Sequence, residues 1–465
     1  MKNTRLTGLL LGASLAAIAI AAPATMGQED GGRAAHQSSY KPMSSVPTMI
    51  TGVNIYDGRG GFIENGSIIM SGGDVVAVGV DLTAPEGAVV IDGNGQWLTP
   101  GIIDVHSHYG VYPSPQVSAH SDGNEITSAN TAEVWAEHGV WPQDPGFARA
   151  QSSGVTVMQI LPGSANLIGG RGVTLKNVPA RTVQAMKFPG AKQGVKFACG
   201  ENPKRVYGQK GVSPFTRMGN VAGYRAAWAK ATEYKRSWDE YNEKVAAGEE
   251  ASPPTRDLQM DTLMGVLNGE ILIQNHCYRA DDMANIIEVS KEFGFQVTAF
   301  HHAVESYKIA DILAENNICS AMWADWWGFK MEAFDGIREN AALVHNAGAC
   351  AIIHSDSGTG IQRLNQEAAK TVADAKKAGL DIPLAEAWSW VSYNAAKALG
   401  VEDQTGSLEP GKDADVVLWT ANPFSVYARA QLVYVDGALV YDMNDESTHA
   451  VSDFRLGFPG EGDDR

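Results

Sequence analysis

The stretch TPGIIDVHSHYG, residues 99–110, places two histidines at the end of an apolar run. Its first half is typical of a buried strand. His106 and His108 are one residue apart, and because alternate side chains of a strand face the same side, both imidazoles face the same side. Neutral imidazoles are common metal ligands. The interpretation therefore depends on whether the rest of the chain supplies the remaining ligands.

Strand-like and helix-like segments alternate over about 300 residues from this point. We expect seven strands, at 101–107, 154–161, 194–199, 270–276, 295–301, 317–323 and 349–355. The eighth is predicted either at Val173–Lys176 or near Val183. The alternation predicts an α/β fold with a (β/α)8 TIM-type barrel. A doubly wound open sheet is the alternative, and the absence of GxGxxG after the first strand disfavours it.

Both ends of the chain have a different pattern from the middle. Short β-like runs separated by glycine-rich turns occupy residues 47–98 and return at 405–445, so the two ends are predicted to build one composite β-sandwich. The barrel takes residues 99–404, and a charged helical stretch at 219–257 is expected as an insertion. Residues 446–465 form an acidic tail.

The first 28 residues have a basic start, an apolar centre and small residues near a plausible cleavage point. This pattern predicts a secretory signal peptide, and a single membrane anchor is the alternative. Residues 29–46 are polar and predict a flexible leader. We therefore expect an exported protein, periplasmic or secreted, that has no stable membrane insertion once the signal is removed.

Composition narrows the class of partner. The chain has 465 residues and a formal net charge of −17, which argues against nucleic-acid binding and leaves a small-molecule substrate. A homo-oligomer is left open. The four cysteines lie in or beside apolar runs, as buried free thiols do, so we expect no disulfide framework. A metal-ligand role for them is disfavoured because no CxxC pair exists.

Polar residues close the predicted barrel strands, and the carboxyl ends of such strands carry the chemistry in barrel enzymes. Singly, each has a structural explanation, such as a hydrogen-bonded core histidine or an aspartate that begins a turn. Together they predict a centre for one or two divalent metal ions, with zinc first and Mn, Fe or Co also compatible. The strand-end residues are His106 and His108, Lys196 or Glu201, His276, His301 or His302, and Asp356.

Three motifs, TPGIIDVHSH, HSDS and the late GSLEPGKDADVVLW, resemble the amidohydrolase superfamily. Within it the chain is most similar to exported metal-dependent hydrolases related to imidazolonepropionase. The resemblance covers roughly residues 48–442. It implies a (β/α)8 barrel, a β-sandwich built from both termini, and one or two divalent metals.

The resemblance also implies roles for particular residues. His106 and His108 match the first-strand ligands, His276 the fifth-strand ligand, and Asp356 the eighth-strand aspartate. His302 is taken as the sixth-strand ligand, which leaves His301 pointing elsewhere. Many relatives bridge their metals with a carboxylated lysine on strand four, which Lys196 matches. Because Gly200 is followed by Glu201 and not by a second glycine, we favour Glu201 as the bridging ligand.

The predicted chemistry is hydrolysis of a C–N bond in an amide, cyclic amide or peptide-like substrate. A divalent ion generates hydroxide at neutral pH. Asp356 then moves a proton to the leaving amine, and a histidine such as His302 shares the developing oxyanion. Ester or lactone hydrolysis at the same site is the alternative, and a non-catalytic binding protein on this fold is a second one.

Substrate contacts are less defined by the sequence. Arg171, expected in a loop at the barrel rim, and Arg279 are candidates for an anionic substrate group, although Arg279 could instead pair with Asp281 or Asp282. Trp323, Trp326 and Trp327 either line an aromatic pocket or pack as core. The substrate itself is not readable, because specificity in this fold lies in loops.

Overall fold

The computed structural model describes residues 36–450. The predicted signal peptide, residues 29–35 of the predicted leader and residues 451–465 of the predicted tail lie outside the described residues. The rest of the leader, 36–46, has no helix or strand. It is nevertheless held to the barrel: the Ser38 hydroxyl donates to the Lys187 carbonyl at 2.7 Å, and the Ser39 amide donates to the Gln184 carbonyl at 3.0 Å.

Both ends of the described chain contribute to one eight-stranded sheet. The first five strands are β1 (Thr48–Tyr56), β2 (Phe62–Ser71), β3 (Asp74–Gly79), β4 (Val89–Asp92) and β5 (Trp97–Pro100). The strands of the barrel follow, and then come the last three strands of this sheet, β14 (Val416–Trp419), β15 (Ala430–Val435) and β16 (Ala438–Asp442). β14 lies antiparallel to β5, with Leu418 opposite Leu98. The joining of the two ends is therefore present, whereas a two-layer sandwich stays a prediction.

A second eight-stranded sheet forms a nearly closed barrel. Its strands are β6 (Ile102–Ser107), β7 (Val155–Ile160), β8 (Ile168–Lys176), β9 (Gly194–Ala198), β10 (Leu272–Cys277), β11 (Val297–His302), β12 (Cys319–Met322) and β13 (Cys350–Ile353). The seven predicted barrel strands are all present and mutually parallel.

The eighth strand differs from the prediction. β8 is longer than either predicted candidate, and it runs antiparallel to both β7 and β9. Residues Val183–Ala185 form only a short 3-10 turn. Glycine is needed within β8, because a Cβ at Gly170 would lie 2.4 Å from the Val134 carbonyl oxygen. The segment expected as a rim loop is therefore a buried strand that passes close to its neighbours.

Ten α-helices are described, and most lie outside the barrel between its strands. α5 shows why they form where they do: Asp281 and Asp282 lie in its first turn, and Gly294 ends it with a φ of +75°. The long helix α3 matches the predicted insertion. The helices are α1 (Pro145–Gln151), α2 (Glu201–Gly208), α3 (Arg217–Ala246), α4 (Leu258–Leu267), α5 (Ala280–Phe293), α6 (Ala310–Glu315), α7 (Asn340–Asn346), α8 (Leu364–Lys377), α9 (Leu384–Trp388) and α10 (Tyr393–Leu399). Among residues 36–450, none of these helices is both long and apolar enough to cross a bilayer.

The prediction of four free thiols was wrong. Cys199 is bonded to Cys277, and Cys319 to Cys350, with Cα–Cα distances of 5.3 Å and 4.4 Å. Cys319 and Cys350 lie opposite each other on β12 and β13, and Cys199 directly follows the end of β9 beside Cys277 of the parallel strand β10. Parallel neighbours bring together residues that are 78 and 31 positions apart, which cysteine spacing alone does not reveal.

A buried charge cluster joins the barrel to the first sheet. Lys176, at the end of β8, lies 2.7 Å from Asp413 and 3.5 Å from Asp415, and it also pairs with Asp436. The Tyr40 hydroxyl donates to Asp436. Burial, together with the charge of Asp415, raises the pKa of Asp413 to about 6, although Lys176 opposes this shift. A single buried lysine therefore provides the positive charge that pairs with all three carboxylates.

Candidate metal centre

The end of β6 and the residues after β13 meet at the centre of the barrel mouth. Asp356 Oδ1 lies 3.0 Å from His108 Nε2 and 3.7 Å from His106 Nε2. These three side chains each offer one ligand atom, and the three atoms lie within 4.8 Å of one another. The predicted convergence of residues 250 positions apart is present in the structure.

Asp104 and Ser355 align these two chain segments. The Asp104 carboxylate accepts hydrogen bonds from the Ser355 amide at 3.1 Å and from the His106 amide at 3.2 Å. The Asp356 amide donates to the His106 carbonyl at 3.0 Å. Asp356 itself has a φ of +46°, which turns its carboxylate toward the histidines. Asp104 thus supports the site from behind and is not itself a ligand.

Strand β11 contributes two histidines to the site where the sequence predicted one. His301 Nδ1 lies 2.9 Å from His106 Nδ1, and His301 Nε2 lies 2.7 Å from the Gln274 side-chain oxygen. His301 therefore contacts the Nδ1 side of His106 and not the Nε2 atom that lies near Asp356, and its exclusion from the metal ligands stays a prediction. His302 also reaches the cluster, with Nδ1 3.8 Å from Asp356 Oδ2, because its φ of +70° breaks the alternation of the strand.

His276 lies beside His302 on the neighbouring strand, with 4.5 Å between the ring centroids. Its Nε2 is 3.4 Å from the Asn202 side-chain nitrogen. Within residues 36–450, the Nδ1 atoms of His276 and His302 are buried and have no hydrogen-bond partner. Two buried imidazole nitrogens without a hydrogen-bond partner, on neighbouring strands, are suited to coordinate a metal ion.

The two candidates for the bridging ligand occupy different places. Lys196 is fully buried on β9, with Nζ 3.1 Å from His106 Nε2 and donating to the Pro162 carbonyl at 3.0 Å. Glu201 is the first residue of α2, and its carboxylate lies 3.5 Å from Lys330 Nζ. The structure thus brings Lys196 to the cluster and gives Glu201 a different partner.

Burial controls the charge of this site. It lowers the pKa values of His106, His276 and His302 well below their usual value, with additional repulsion from lysine and neighbouring imidazoles. Burial likewise lowers the pKa of Lys196 to about 7. Burial alone would raise the pKa of Asp356, but the His108 hydrogen bond and nearby positive charges hold it below its usual value. The result is neutral imidazoles around an ionised carboxylate, which is the state that metal binding requires.

Sequence reasoning missed His354 and Tyr278. His354 Nε2 accepts a hydrogen bond from the His302 amide at 3.2 Å, and His106, His302 and His354 form a second group of converging ligand atoms. Its signal was present, since it precedes Asp356 by two residues as His106 precedes His108. The Tyr278 ring stacks on His302 at 5.4 Å.

The tryptophan and arginine predictions have mixed outcomes. Trp323 stacks on His302 at 4.3 Å and Trp326 on Trp323 at 4.6 Å, and all three residues line a small pocket. Arg171 is not in a rim loop: it lies buried within β8, where it is paired with Val195 of β9, and it donates to Thr262 at 2.8 Å. Arg279 pairs with Asp281 at 2.8 Å on the exposed surface, and its substrate role stays a prediction.

An open cleft of about 950 Å³ leads to the edge of the cluster. His108 and Asp356 line it, together with Tyr112 and Arg149. Within the described part of the chain, the Arg149 guanidinium makes no hydrogen bond or ion pair. The cleft therefore carries one uncompensated positive charge beside the candidate metal ligands.

Comparison with known proteins gives the family. A family model described as "Amidohydrolase family" matches residues 259–446. The solved structure of an amidohydrolase from Thermotoga maritima MSB8 aligns with 85% of this chain and all of its own, at 32% identity and a TM-score of 0.77. The chain belongs to the amidohydrolase family.

Two curated proteins are similar to this chain over most of its length. The amidohydrolase tasK of Hapsidospora irregularis is 32% identical over 375 residues, which cover 77% of this chain but only 38% of that relative. The chain thus spans less than half the length of tasK. The imidazolonepropionase of Caulobacter vibrioides (strain NA1000 / CB15N) is 24% identical over 395 residues, 80% of this chain and 91% of its own. Membership of the amidohydrolase family supports a hydrolase, and the family generally uses divalent metals.

Proposed function

We propose that this protein is a metal-dependent hydrolase that cleaves a C–N bond in an amide, cyclic amide or peptide-like substrate. The convergence of His106, His108 and Asp356 at the barrel mouth carries the proposal. A divalent ion held there would lower the pKa of water and polarise a carbonyl oxygen. Zinc suits this donor set best, and Mn, Fe or Co are compatible.

His106, His108 and Asp356 would hold one ion, and His276 with His302 would complete a second position. We take Lys196, which would have to be carboxylated to act as a ligand, as the strand-four residue that would help to hold the metal, because its Nζ lies against His106. Glu201 was favoured from the sequence, but its carboxylate lies 3.5 Å from Lys330 Nζ and belongs to none of the groups of converging ligand atoms within residues 36–450.

The chain's own groups supply the proton chemistry. Asp356 is ionised, so it can accept a proton from the attacking water and return it to the leaving amine. Burial raises the pKa of Tyr278, which therefore keeps its proton and can donate a hydrogen bond to a developing oxyanion. The His302 ring packs against both Tyr278 and Trp323, which supports a role for His302 at the same oxygen.

The cleft favours a substrate that carries a carboxylate. Arg149 offers a free guanidinium in the same cleft as His108 and Asp356. Guanidinium groups bind carboxylates through two parallel hydrogen bonds. N-acyl amino acids and dipeptides combine such a group with a cleavable C–N bond.

One experiment distinguishes C–N bond hydrolysis from the two alternatives, ester or lactone hydrolysis and binding without catalysis. Zinc- or manganese-reconstituted protein is assayed against dipeptides, N-acyl amino acids, lactones and simple esters. Turnover of the amides, and its loss in Asp356→Asn, supports the proposal. Turnover of lactones or esters alone would establish the ester alternative. Metal binding without turnover of any substrate would favour a binding protein.

We also propose export, periplasmic or secreted. The predicted signal in residues 1–28 supports it, and so do the two disulfides, which persist in oxidising compartments. Fractionation of the producing cells, with mass determination of the mature N-terminus, tests this. Recovery of an unprocessed chain in the cytoplasm would contradict it.

A further inference from the structure

A second group of potential metal ligands lies on the outer side of the barrel, next to β8. His36 Nδ1 lies 3.6 Å from Glu137 Oε1, and His138 Nε2 lies 4.0 Å from the same oxygen. All three ligand atoms lie within 4.8 Å of one another. None of these residues belongs to the barrel-mouth cluster.

Glu137 is the feature that points to a ligand. Its side chain is fully buried, whereas the side chains of His36 and His138 are 60% and 56% exposed. Within residues 36–450, Glu137 Oε1 is buried and has no hydrogen-bond partner. Leaving a buried carboxylate oxygen without a partner is costly. This oxygen faces two imidazole nitrogens that solvent can reach.

The surroundings fix the three ligands in place. Lys187 Nζ lies 2.7 Å from the other carboxylate oxygen, so it orients Glu137 and leaves Oε1 available. His138 stacks on the Trp135 ring at 5.4 Å with an interplanar angle of 11°. Lys187 Nζ also donates to the His36 carbonyl, which holds the start of the described chain against the barrel.

We propose that His36, Glu137 and His138 form a binding site for a divalent transition metal such as Zn²⁺. Two imidazoles and one carboxylate are a ligand set that zinc uses, with water in the remaining position. Zinc–ligand bonds of about 2.0–2.2 Å place tetrahedral ligand atoms roughly 3.3–3.5 Å apart. The observed 3.6 Å is close to that spacing, and a small rotation of the exposed His138 ring closes the 4.0 Å separation.

A simpler arrangement would need no metal. A protonated imidazole could pair with Glu137 directly, and Lys187 already supplies one positive charge. The two arrangements differ in what zinc does to the protein. This site shares no residue with the barrel mouth. A test of zinc binding here therefore does not depend on whether the proposed hydrolase activity is correct.

The experiment measures zinc stoichiometry on the whole protein. Wild-type protein is stripped with a chelator and titrated with Zn²⁺ against a competing chelating dye, and bound zinc is counted by mass spectrometry. We expect His138→Ala and Glu137→Gln each to bind one equivalent less than the wild type. His345→Ala is the matched control, because His345 pairs with Glu386 at 3.1 Å without a second histidine, and it should keep the full number. Equal zinc in wild type and His138→Ala would overturn the proposal.

The melting temperature gives a second, independent readout. Zinc should raise the melting temperature of the wild type more than that of His138→Ala, because the variant lacks one of the three ligands and both proteins keep the barrel-mouth residues. Equal zinc-induced shifts in the wild type and in His138→Ala would show that this site binds no metal.

Discussion

Lys196 Nζ lies 3.1 Å from His106 Nε2 at the centre of the barrel, between strands that are 90 residues apart. A lysine this deeply buried has a pKa of about 7 because burial disfavours its charged form. It faces imidazoles that burial also keeps neutral. The Lys196 amine and the neutral imidazoles around it therefore lie close together at the centre of the barrel.

The first prediction separates Lys196 from Glu201. Lys196→Met should lower the metal content of the barrel mouth and abolish turnover, because no other described lysine lies against His106. Glu201→Gln should leave the metal content and the turnover rate within about threefold of the wild type, since Glu201 pairs with Lys330. Metal content and steady-state kinetics measure the two effects. The reverse pattern would restore Glu201 as the bridging ligand.

The second prediction concerns proton transfer. Asp356→Asn should lower kcat by about 10²–10⁴-fold, the usual contribution of a positioned acid or base. Asp325→Asn is the matched control, because Asp325 pairs with Lys370 in the exposed segment after β12. His106→Ala should lose metal as well as activity. Survival of both metal content and turnover in these variants would show that the assignment of the site is mistaken.

The third prediction concerns Arg149. Arg149→Met should raise KM for a substrate that carries a carboxylate by about 10–100-fold, with little effect on kcat, because a charged hydrogen bond is worth about 1.5–3 kcal/mol. An uncharged amide or ester should be affected far less. Arg149→Lys should keep part of the effect. If both substrates respond equally, Arg149 has a structural role.

The fourth prediction concerns the buried charge cluster. Lys176→Met should lower the free energy of unfolding by about 3–5 kcal/mol, because three carboxylates lose their buried partner. Lys235→Met, which breaks an exposed pair with Asp239, should cost less than about 1 kcal/mol. Chemical denaturation of both variants compares them. Similar losses would mean that Lys176 is not a compensating charge.

The pH dependence of stability follows from the same cluster. The pKa of Asp413 is raised in the folded protein to about 6, so the folded state binds a proton more tightly than the unfolded chain. The stabilisation is complete below the ordinary value of 3.8 and is lost as pH rises through about 6. Relative to Asp413→Asn, the wild type should therefore lose stability between pH 4 and 6.5. A constant difference across this window would contradict the shift.

Much of the fold followed from the sequence because apolar runs and helix periodicity are local signals. The seven parallel barrel strands are where the pattern placed them. Of β8, only the end at Val173–Lys176 was among the predicted candidates; its first half was missed because its glycines look like a loop, and the close approach of Val134 shows why glycine is needed at Gly170. The two disulfides were missed for a similar reason, since strand order decides which cysteines become neighbours.

The site was predictable to the level of its strands and less so within them. Alternation identified His106 and His108 as a pair, and the same rule applied to residues 354–356 would have added His354. It failed at β11, where the φ of +70° at His302 lets consecutive histidines reach the same site. Which of Lys196 and Glu201 faces His106 depends on where β9 ends and α2 begins, and sequence patterns place such boundaries least well.

The pairing of Lys176 with Asp413, Asp415 and Asp436 also sets an order of events. Lys176 lies in the first half of the chain, and its partners are 237, 239 and 260 residues further on. During synthesis the lysine can meet all three only after residue 436 has been made. The barrel wall at β8 can thus reach its final, charge-compensated state only when β14 and the turn after β15 have arrived, so that a late-made part of the first sheet is required for a finished barrel.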